Sequence, residues 1–413
     1  FAVYRRGKDC DAFCQNPEGL DYVGLVWPGE TVFPDFSLES VRGWWRDEVA
    51  EFAKIGIGGS WIDMNDPSTG LRAIRVIDYV AAGPAFGGCR MAPDVSLDEC
   101  FRLARAMTLK NAAAALPHGG AKSVIFANSK MPLEEKERLV RSFAHAIKHI
   151  EDYIVGPDMG TDELCMAWCH DVIGRCVGMP RAIGGIPLDD IGATGFGLAE
   201  AVEVAAEFID LDLKNATFAV QGYGSVGIHT ARFLAEKGAT LVGAVDIHGG
   251  KIDPNGLNTD ELFKIKGQGG RVLDYAGGKA IDRDAIIDVE CDIWIPAARP
   301  DVITMDNVDR LNTKIVAQGA NIPASAEAEA ALSAKGTVVL PDFIVNAGGV
   351  ICGAVEYQGS GEYQALTTIA DKITYNTRHN LEAAKSERIS PRQAALNFAQ
   401  DRVRKAMGYR KSH

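Results

Sequence analysis

Three charged residues have the types and the spacing to transfer protons on an anionic substrate. Lys110 ends a run of helical periodicity, and Lys122 follows two glycines at the start of an apolar run. Two ammonium groups in one pocket lower each other's pKa, so that a lysine can act as acid or base near neutral pH. Asp158 lies in a glycine-containing loop before a helix that we expect Thr161 to cap. Alone, each charge is most often a solvated surface group, so the surrounding motifs decide its meaning.

A glycine-rich turn points to a dinucleotide. Gly222, Gly224 and Gly227 form G-x-G-x-x-G between an apolar run and a helical pattern, with Ser225 and Val226 inside the motif. Such a turn lets the backbone approach a pyrophosphate, and the free N–H groups at the start of the helix bind its charge. Glycines that merely make a turn are the alternative, but a strand before and a helix after favour a cofactor.

Asp246 indicates which cofactor binds. It ends the next predicted strand, where a carboxylate accepts hydrogen bonds from the ribose hydroxyls. A carboxylate repels a 2'-phosphate, and no arginine follows it in residues 247–250. The sequence therefore predicts NAD rather than NADP.

The elements that must position these residues alternate between helix and strand. Apolar positions recur at helical spacing over residues 97–115, and Ser96 with Glu99 forms a capping box at the start. Residues 122–126 predict a short strand, and Pro132 opens another helix.

Beyond Thr194 the alternation becomes regular. Short apolar runs separated by helical patterns are typical of a parallel sheet covered on both faces. The runs are residues 217–221, 240–246, 292–296, 314–317 and 337–340. After Asn346 the pattern is helical, and we expect these helices to pack back on the first domain. The 413 residues therefore predict an α/β protein of two domains, an α/β substrate domain and a Rossmann-type doubly wound parallel sheet.

Composition excludes several classes of function. Asp and Glu number 55 against 43 Lys and Arg, a net charge of -12 that disfavours nucleic acid as a partner. No apolar run approaches the ~20 residues of a membrane span, and the amino end has no signal-peptide layout. We therefore predict no membrane partner and a cytoplasmic location.

The cysteines predict reduced thiols and no metal site. They number nine, are scattered, and lack paired spacing. The nearest approach to a metal motif is Cys165, Cys169 and His170, but no second pair of ligands follows, so burial among apolar residues is the preferred interpretation. The chain begins with Phe1 rather than Met, which we interpret as a sign of a fragment or a processed product.

A series of ordered motifs gives residues 67–413 a family resemblance. The motifs are residues 66–73, 83–91, 107–111, 116–122, 192–195, 319–321 and 341–350. In this order they resemble the glutamate, leucine, phenylalanine and valine dehydrogenases. The resemblance implies a substrate-binding domain of residues 67–190 plus 347–413, an NAD-binding Rossmann domain of residues 191–346, and a homo-oligomer.

The resemblance also implies a role for each site residue. Lys110 would bind the α-carboxylate of the amino acid, Lys122 would activate the water that attacks the imine, and Asp158 would carry protons to and from the amine. Thr194 and Asn321 would hold the nicotinamide end of NAD. Asn346 would lie at the reacting face of substrate and cofactor. The physical properties of these side chains fit such roles.

The chain departs from the glutamate members at the substrate side chain. Phe86, followed by Gly87, stands where those enzymes have a lysine that pairs the second carboxylate, and Gly353 stands where they tend to have serine. A buried carboxylate without a cation costs several kcal/mol. We therefore expect an apolar, roomy pocket for leucine, valine or phenylalanine. Glutamate dehydrogenase remains the alternative, because residues 156–168 look more like the glutamate members, and an inactive NAD-binding module is another.

Residues 20–68 resemble a different family. Segments 24–29, 32–36, 42–45 and 61–65 are similar to the nucleophile region of family 31 glycoside hydrolases, the α-glucosidase family. The resemblance implies Asp63 as the nucleophile, while Asp66 stands where that family has glutamate. An α-glycosidase needs a barrel of about 250 residues and a second carboxylate from a later strand, which the chain does not supply. This alternative is therefore the weaker one.

The two resemblances meet at residues 65–68, and our hypothesis is that two different sequences are joined there. Residues 1–66 are then an amino-terminal segment of uncertain origin. Residues 61–65 alternate between apolar and polar side chains and can still serve as a first strand. A turn over residues 66–70 and a strand over 71–80 complete the predicted hairpin.

Overall fold

The computed structural model describes residues 2–26, 29–54 and 60–410, which belong to two compact units. In the first unit, Phe1–Ser60, the elements are α1 (Ala2–Asp9), β1 (Val23–Val26), β2 (Gly29–Val32) and α2 (Glu39–Lys54). Strands β1 and β2 pair antiparallel, and Phe13 packs between Tyr4 and Trp44 with ring centroids 5.4 and 6.0 Å away. Trp27 and Pro28, in the first glycosidase-like segment, lie outside the described residues.

The second unit, Trp61–His413, begins with a five-stranded sheet in the order β3-β4-β6-β5-β7. Its elements are β3 (Ser60–Asp66), β4 (Leu71–Tyr79), β5 (Ala85–Ala92), α3 (Leu97–Ala113), β6 (Gly119–Phe126), α4 (Leu133–Ala146), β7 (Tyr153–Pro157) and α5 (Glu163–Ile173). The predicted hairpin is confirmed, because β3 and β4 are neighbours. Helix α3 covers one face through Cys100 and Ala104, while α4 and α5 bury Phe143 and Met166 against the other.

The predicted caps of two helices differ in part from the observed ones, because side chains near the helix starts make other contacts. Ser96 caps α3 as predicted, with its hydroxyl accepting the N–H of Glu99 at 3.1 Å. The Glu99 carboxylate pairs with Arg90 and so does not close the capping box. The prediction that Thr161 caps α5 was wrong, since Asp162 accepts the N–H of Cys165 at 2.9 Å.

A seven-stranded sheet follows, in the order β11-β10-β9-β8-β12-β13-β14. Its elements are α6 (Ala193–Phe208), β8 (Thr217–Gln221), α7 (Ser225–Glu236), β9 (Thr240–Asp246), β10 (Gly249–Ile252), α8 (Thr259–Gly267), β11 (Lys279–Ile281), β12 (Ile293–Pro296), β13 (Ile315–Ala317), α9 (Ala326–Ala334), β14 (Val338–Leu340) and α10 (Asp342–Val345). The five neighbouring strands β9-β8-β12-β13-β14 are parallel, which confirms the predicted fold class. The antiparallel pairs of β10 were not predicted, because neither β10 nor β11 contains a continuous apolar run.

The carboxyl-terminal helices pack on both sheets. They are α11 (Gly348–Tyr357), α12 (Glu362–Glu387) and α13 (Pro391–Tyr409). The Tyr79 hydroxyl of β4 donates to Val403 O of α13 at 3.2 Å, and Lys372 Nζ of α12 donates to Ala114 O at 2.9 Å. Among the described helices, none has the length and apolar character needed to cross a membrane.

Candidate active site

A cavity of about 200 Å³ brings the predicted catalytic and substrate residues together. The polar residues that line it are Lys110, Lys122, Asp158, Thr194, Asn321 and Asn346. They come from α3, from β6, from the loop after β7, from the first turn of α6, and from the loops after β13 and α10. Segments of both sheets therefore contribute to one cavity.

Asp158 lies between two cations. One of its carboxylate oxygens accepts a hydrogen bond from Lys122 Nζ, and the other accepts one from Arg90 Nε at 2.8 Å. Burial alone would raise the pKa of Asp158, but the charges of Lys122 and Arg90 outweigh it and lower the pKa to about 2. Asp158 is therefore ionised at neutral pH, and it fixes the ammonium group of the buried Lys122.

The loop that carries Asp158 is held at two points. The Thr161 hydroxyl donates to Cys89 O at 2.7 Å and accepts the N–H of Asp158 at 3.0 Å, which is why it does not cap α5. Gly160 has φ 85°, and a Cβ built on it would lie 2.0 Å from Met91 O. Only glycine fits there without moving the loop.

Lys110 faces the same cavity from the last turn of α3. Its Nζ donates to Asn321 Oδ1 at 3.1 Å. Burial lowers the pKa of Lys110 to about 8, an effect that the charge of Asp342 opposes and that of Lys122 reinforces. The neighbouring Lys122 does lower the pKa of Lys110, as the sequence predicted, but burial is the larger cause.

Asn346 presents an unpaired acceptor. Its Nδ2 donates to Asn321 Oδ1 at 3.2 Å, whereas its Oδ1 is buried and has no hydrogen-bond partner within the described part of the chain. Buried polar atoms are nearly always paired, so an orphaned oxygen in a cavity wall suits the N–H group of a ligand. Thr194, at the start of α6, lines the cavity with it.

One wall of the cavity is apolar. Phe86 packs with Val177, and Val350 packs against both. A Cβ built on Gly353 would lie 2.6 Å from Phe86 Cζ, so the phenyl ring occupies the space that this glycine leaves. Gly87 allows β5 to approach β6, because its Cβ would lie 1.8 Å from a backbone oxygen of that strand. This wall of the cavity is apolar, and the ring leaves less room beside Gly353 than the sequence suggested.

The glycine-rich turn after β8 fits a pyrophosphate. Gly222 has φ 101°, where a side chain would be strained. Gly224 precedes α7 without a side-chain cap, and a Cβ built on it meets no atom within 4 Å. The first turn of α7, formed by Ser225, Val226 and Gly227, begins next to this open space, and the N–H groups of a helix start favour an anion. Strand β8 lies between β9 and β12, where the strand order reverses and dinucleotides bind.

Asp246, at the end of β9, is already hydrogen-bonded. Its carboxylate accepts the N–H groups of His248 and Val272 and an N–H of Lys266 Nζ, each at 2.9 Å. Burial alone would raise the pKa of Asp246, but these donors lower it. Because Lys266 offsets the carboxylate charge, the repulsion of a 2'-phosphate is weaker than the sequence suggested.

Sequence reasoning missed Arg90 and Lys266 as site residues. Arg90 lies two residues after Gly88 on β5, and a Cβ built on Gly88 would lie 2.8 Å from Asp158 Cβ. Residues two apart share a face of a strand, so the motif of residues 83–91 held a usable signal for Arg90. No local pattern pairs Lys266 with Asp246.

The residues that resemble the nucleophile region of family 31 glycoside hydrolases lie outside this cavity. Asp63 is exposed on β3, at the edge of a five-stranded sheet. The carboxylate of Asp66 accepts hydroxyl hydrogen bonds from Ser68, Thr69 and Ser142. The groove of about 860 Å³ that Asp63 and Asp66 line shares no lining residue with the candidate active-site cavity.

Six of the nine cysteines are buried and contribute thiols to the core. Cys165 and Cys169 are fully buried on α5, and burial raises the pKa of Cys165 to about 12. All nine cysteines are unpaired. Over residues 2–26, 29–54 and 60–410 we find no group of three His, Cys, Asp or Glu side chains able to hold a metal ion.

Comparison with protein families gives three matches. Residues 184–411 match the family model described as Glutamate/Leucine/Phenylalanine/Valine dehydrogenase, and residues 59–175 match its dimerisation domain. Residues 1–83 match the TIM-barrel domain of glycosyl hydrolases family 31. Both resemblances inferred from the sequence are confirmed.

Individual proteins are similar over most of their length. Glutamate dehydrogenase of Aeropyrum pernix is 38% identical over 353 residues, which cover 80% of this chain and 84% of the relative. NADP-specific glutamate dehydrogenase of Saccharolobus shibatae is 33% identical over 79% of this chain and 82% of its own. The crystal structure of hetero-hexameric glutamate dehydrogenase from Thermus thermophilus, in a Leu-bound form, superposes with a TM-score of 0.76 at 27% identity, covering 88% of this chain and 96% of that one.

Proposed function

The chain belongs to the glutamate, leucine, phenylalanine and valine dehydrogenase family, and from that premise we propose that it is an NAD-dependent dehydrogenase of apolar L-amino acids. The reaction is the reversible oxidative deamination of the amino acid, with water, to the 2-oxo acid and ammonia. The convergence of Lys110, Lys122 and Asp158 in one cavity with Thr194 and Asn321 carries this proposal.

Each side chain has a defined task in this proposal. NAD, when bound, accepts the hydride from the substrate α-carbon. Lys110 pairs with the α-carboxylate, for which its ammonium group faces the cavity. Lys122 activates the water that attacks the imine, and the ion pair with Asp158 gives the proton a short path between the two. The unpaired Asn346 Oδ1 accepts an N–H from substrate or nicotinamide.

The apolar substrate is inferred from the cavity wall at Phe86 and Val350. Within the described residues, the cations that line the cavity are Lys110 and Lys122, which are already assigned to the α-carboxylate and the water. A glutamate side chain would bury a second carboxylate against Phe86, at a cost of several kcal/mol. Since the phenyl ring fills the space beside Gly353, we expect valine and leucine to be better substrates than phenylalanine. Glutamate is the competing substrate, because the curated relatives compared above are glutamate dehydrogenases.

NAD is proposed as the cofactor because Asp246 ends β9 beside the glycine-rich turn. Lys266 offsets part of its charge, so we expect a preference for NAD and weak use of NADP. We also propose the division into a substrate-binding domain, residues 67–190 plus 347–413, and a Rossmann domain, residues 191–346. We also propose a homo-oligomer; the hetero-hexameric relative from Thermus thermophilus supports an oligomer, and identical subunits are our own proposal.

The test is the formation of NADH from NAD, or of NADPH from NADP, with valine, leucine, phenylalanine and glutamate as substrates. We expect the highest kcat/KM with valine or leucine and NAD. Turnover of no amino acid with either cofactor would overturn the enzyme proposal, and a higher kcat/KM for glutamate would overturn the apolar assignment.

Two matched variants sharpen this test at one position. Phe86→Leu keeps the wall apolar and removes part of the ring, so it should gain activity on phenylalanine and still reject glutamate. Phe86→Lys supplies the missing cation and should gain activity on glutamate. The same glutamate activity in both variants would contradict the charge argument.

A further inference from the structure

The turn that carries Asn321 has a strained backbone. Ile322 has φ 51°, in the left-handed region, where a β-branched side chain clashes with its own backbone. Of the six non-glycine residues with positive φ in the described ranges, Ile322 alone is β-branched. Such a conformation persists only where the surroundings hold it in place.

Asp342 holds this turn. Its Oδ2 accepts the N–H of Ile322 at 2.8 Å, and Ile322 O accepts the N–H of Asp301 at 3.0 Å. Both backbone polar groups of Ile322 are therefore engaged. Asp342 begins α10 and is 3% exposed, so its carboxylate requires a cation nearby.

Arg392 of α13 supplies that cation. Its Nη2 donates to Asp342 Oδ1 at 3.0 Å and to Gln318 Oε1 at 3.0 Å, while its Nε donates to Glu329 Oε2 at 2.5 Å. Burial alone would lower the pKa of Arg392, but the two carboxylates raise it. One guanidinium group thus faces two carboxylates, and the remaining negative charge acts on Lys110, whose pKa Asp342 raises.

We propose that Asp342 and Arg392 are positioning residues, which hold Asn321 through the left-handed Ile322 so that it orients the ammonium group of Lys110 toward the substrate carboxylate. Asn321 Oδ1 accepts one N–H of Lys110 at 3.1 Å and one of Asn346 at 3.2 Å, so a shift of this turn moves both partners. Through Arg392, the carboxyl-terminal helix α13 fixes the geometry of the site. The inference rests on the proposed function, because it assigns Lys110 to the substrate.

The test is the binding of a 2-oxo acid, 2-oxoisovalerate, to the full chain in the presence of NADH. Asp342→Asn keeps the size of the side chain and removes its charge. We expect its dissociation constant for the 2-oxo acid, measured at saturating NADH, to rise about tenfold, the order expected on losing a charge-assisted hydrogen bond. The pH above which binding weakens should also move below that of the wild type, because Asp342 no longer raises the pKa of Lys110. A role in stability alone would lower Tm without moving this pH.

A second substitution tests the strained turn itself. Ile322→Gly in the Asp342→Asn background should restore part of the affinity, since glycine adopts a positive φ without strain. Arg388→Gly is the matched control, because Arg388 has φ 58° at the end of α12, outside the cavity lining, and should restore nothing. If Asp342→Asn does not fold, Arg392→Lys replaces it: that variant keeps the charge but loses the planar fork, so affinity should fall with the pH dependence unchanged.

The outcomes separate this inference from the proposed function. A wild-type protein that neither oxidises amino acids nor binds 2-oxo acids overturns the proposed function. A wild-type protein that does both, with an Asp342→Asn variant of equal affinity and equal pH dependence, overturns the positioning role alone. Equal rescue by Ile322→Gly and Arg388→Gly would also overturn it.

Discussion

Substrate binding should weaken above pH 8, because the Lys110 ammonium group loses its proton near this pH. Its pKa is lowered from 10.5 to about 8, mainly by burial. The proposed partner of Lys110 is the substrate carboxylate, which binds the ammonium form. A 2-oxo acid is the ligand of choice, since it carries no amino group whose own titration would obscure that of Lys110.

The magnitude follows from the pKa. Below pH 8 Lys110 is charged and the dissociation constant of the 2-oxo acid should be constant; above pH 8 it should rise about tenfold per pH unit. Each tenfold step corresponds to ~1.4 kcal/mol of binding free energy. Near pH 8 about half of the sites are deprotonated, so binding should take up about half a proton per site. The carboxylate of Asp158, with a pKa of about 2, does not titrate in this range.

The assay is isothermal titration calorimetry of the protein with NADH and 2-oxoisovalerate, in buffers of different ionisation enthalpy. The dependence of the measured heat on the buffer gives the number of protons taken up. Lys110→Arg is the control, because a guanidinium group stays charged and should remove both the pH dependence and the proton uptake. An affinity that stays constant from about pH 7 to about pH 9.5, with no proton uptake, would refute the reasoning.

Two further variants probe the chemistry and the wall of the pocket. Asp158→Asn removes the charge that fixes Lys122, so kcat should fall by about 10²- to 10⁴-fold while NAD affinity measured by fluorescence titration stays the same; an unchanged kcat would contradict its role. Gly353→Ala places a methyl group against the Phe86 ring and should lower stability by about 1–3 kcal/mol in urea unfolding. Adding Phe86→Leu should recover most of that loss, and a Gly353→Ala protein as stable as the wild type would show that the ring is not confined.

The elements that the sequence predicted best are those defined by a short apolar run between turns. The strands at residues 217–221 and 240–246 have the predicted bounds, and the helix capped by Ser96 begins where expected. Strand β10 was missed because it contains Gly249, Gly250 and Lys251 and therefore has no apolar run. Its pairing with β9, not its own side chains, makes it a strand.

The contacts within the site were harder to predict than its members. The sequence motifs identified Lys110, Lys122 and Asp158, but the hydrogen-bond partners of the site residues come from distant segments of the chain. Arg392 reaches Asp342 from a separate helix, and Lys266 reaches Asp246 from α8. Charge compensation between remote elements leaves no periodicity in the sequence, so it becomes visible only when the elements are packed.

The edge position of β3 explains how a segment that resembles another family can complete the five-stranded sheet. A central strand must match neighbours on both sides and on both faces, whereas an edge strand pairs on one side only. In β3, Met64 is 6% exposed and joins the core of α4 and α5, while Ile62 and Asp63 are exposed. The turn at Asp66 is fixed by its own hydroxyl partners. Under the hypothesis of a join at residues 65–68, the segment before the join needs to supply only one apolar side chain in register and a backbone that pairs with β4. The alternation over residues 61–65 provides both.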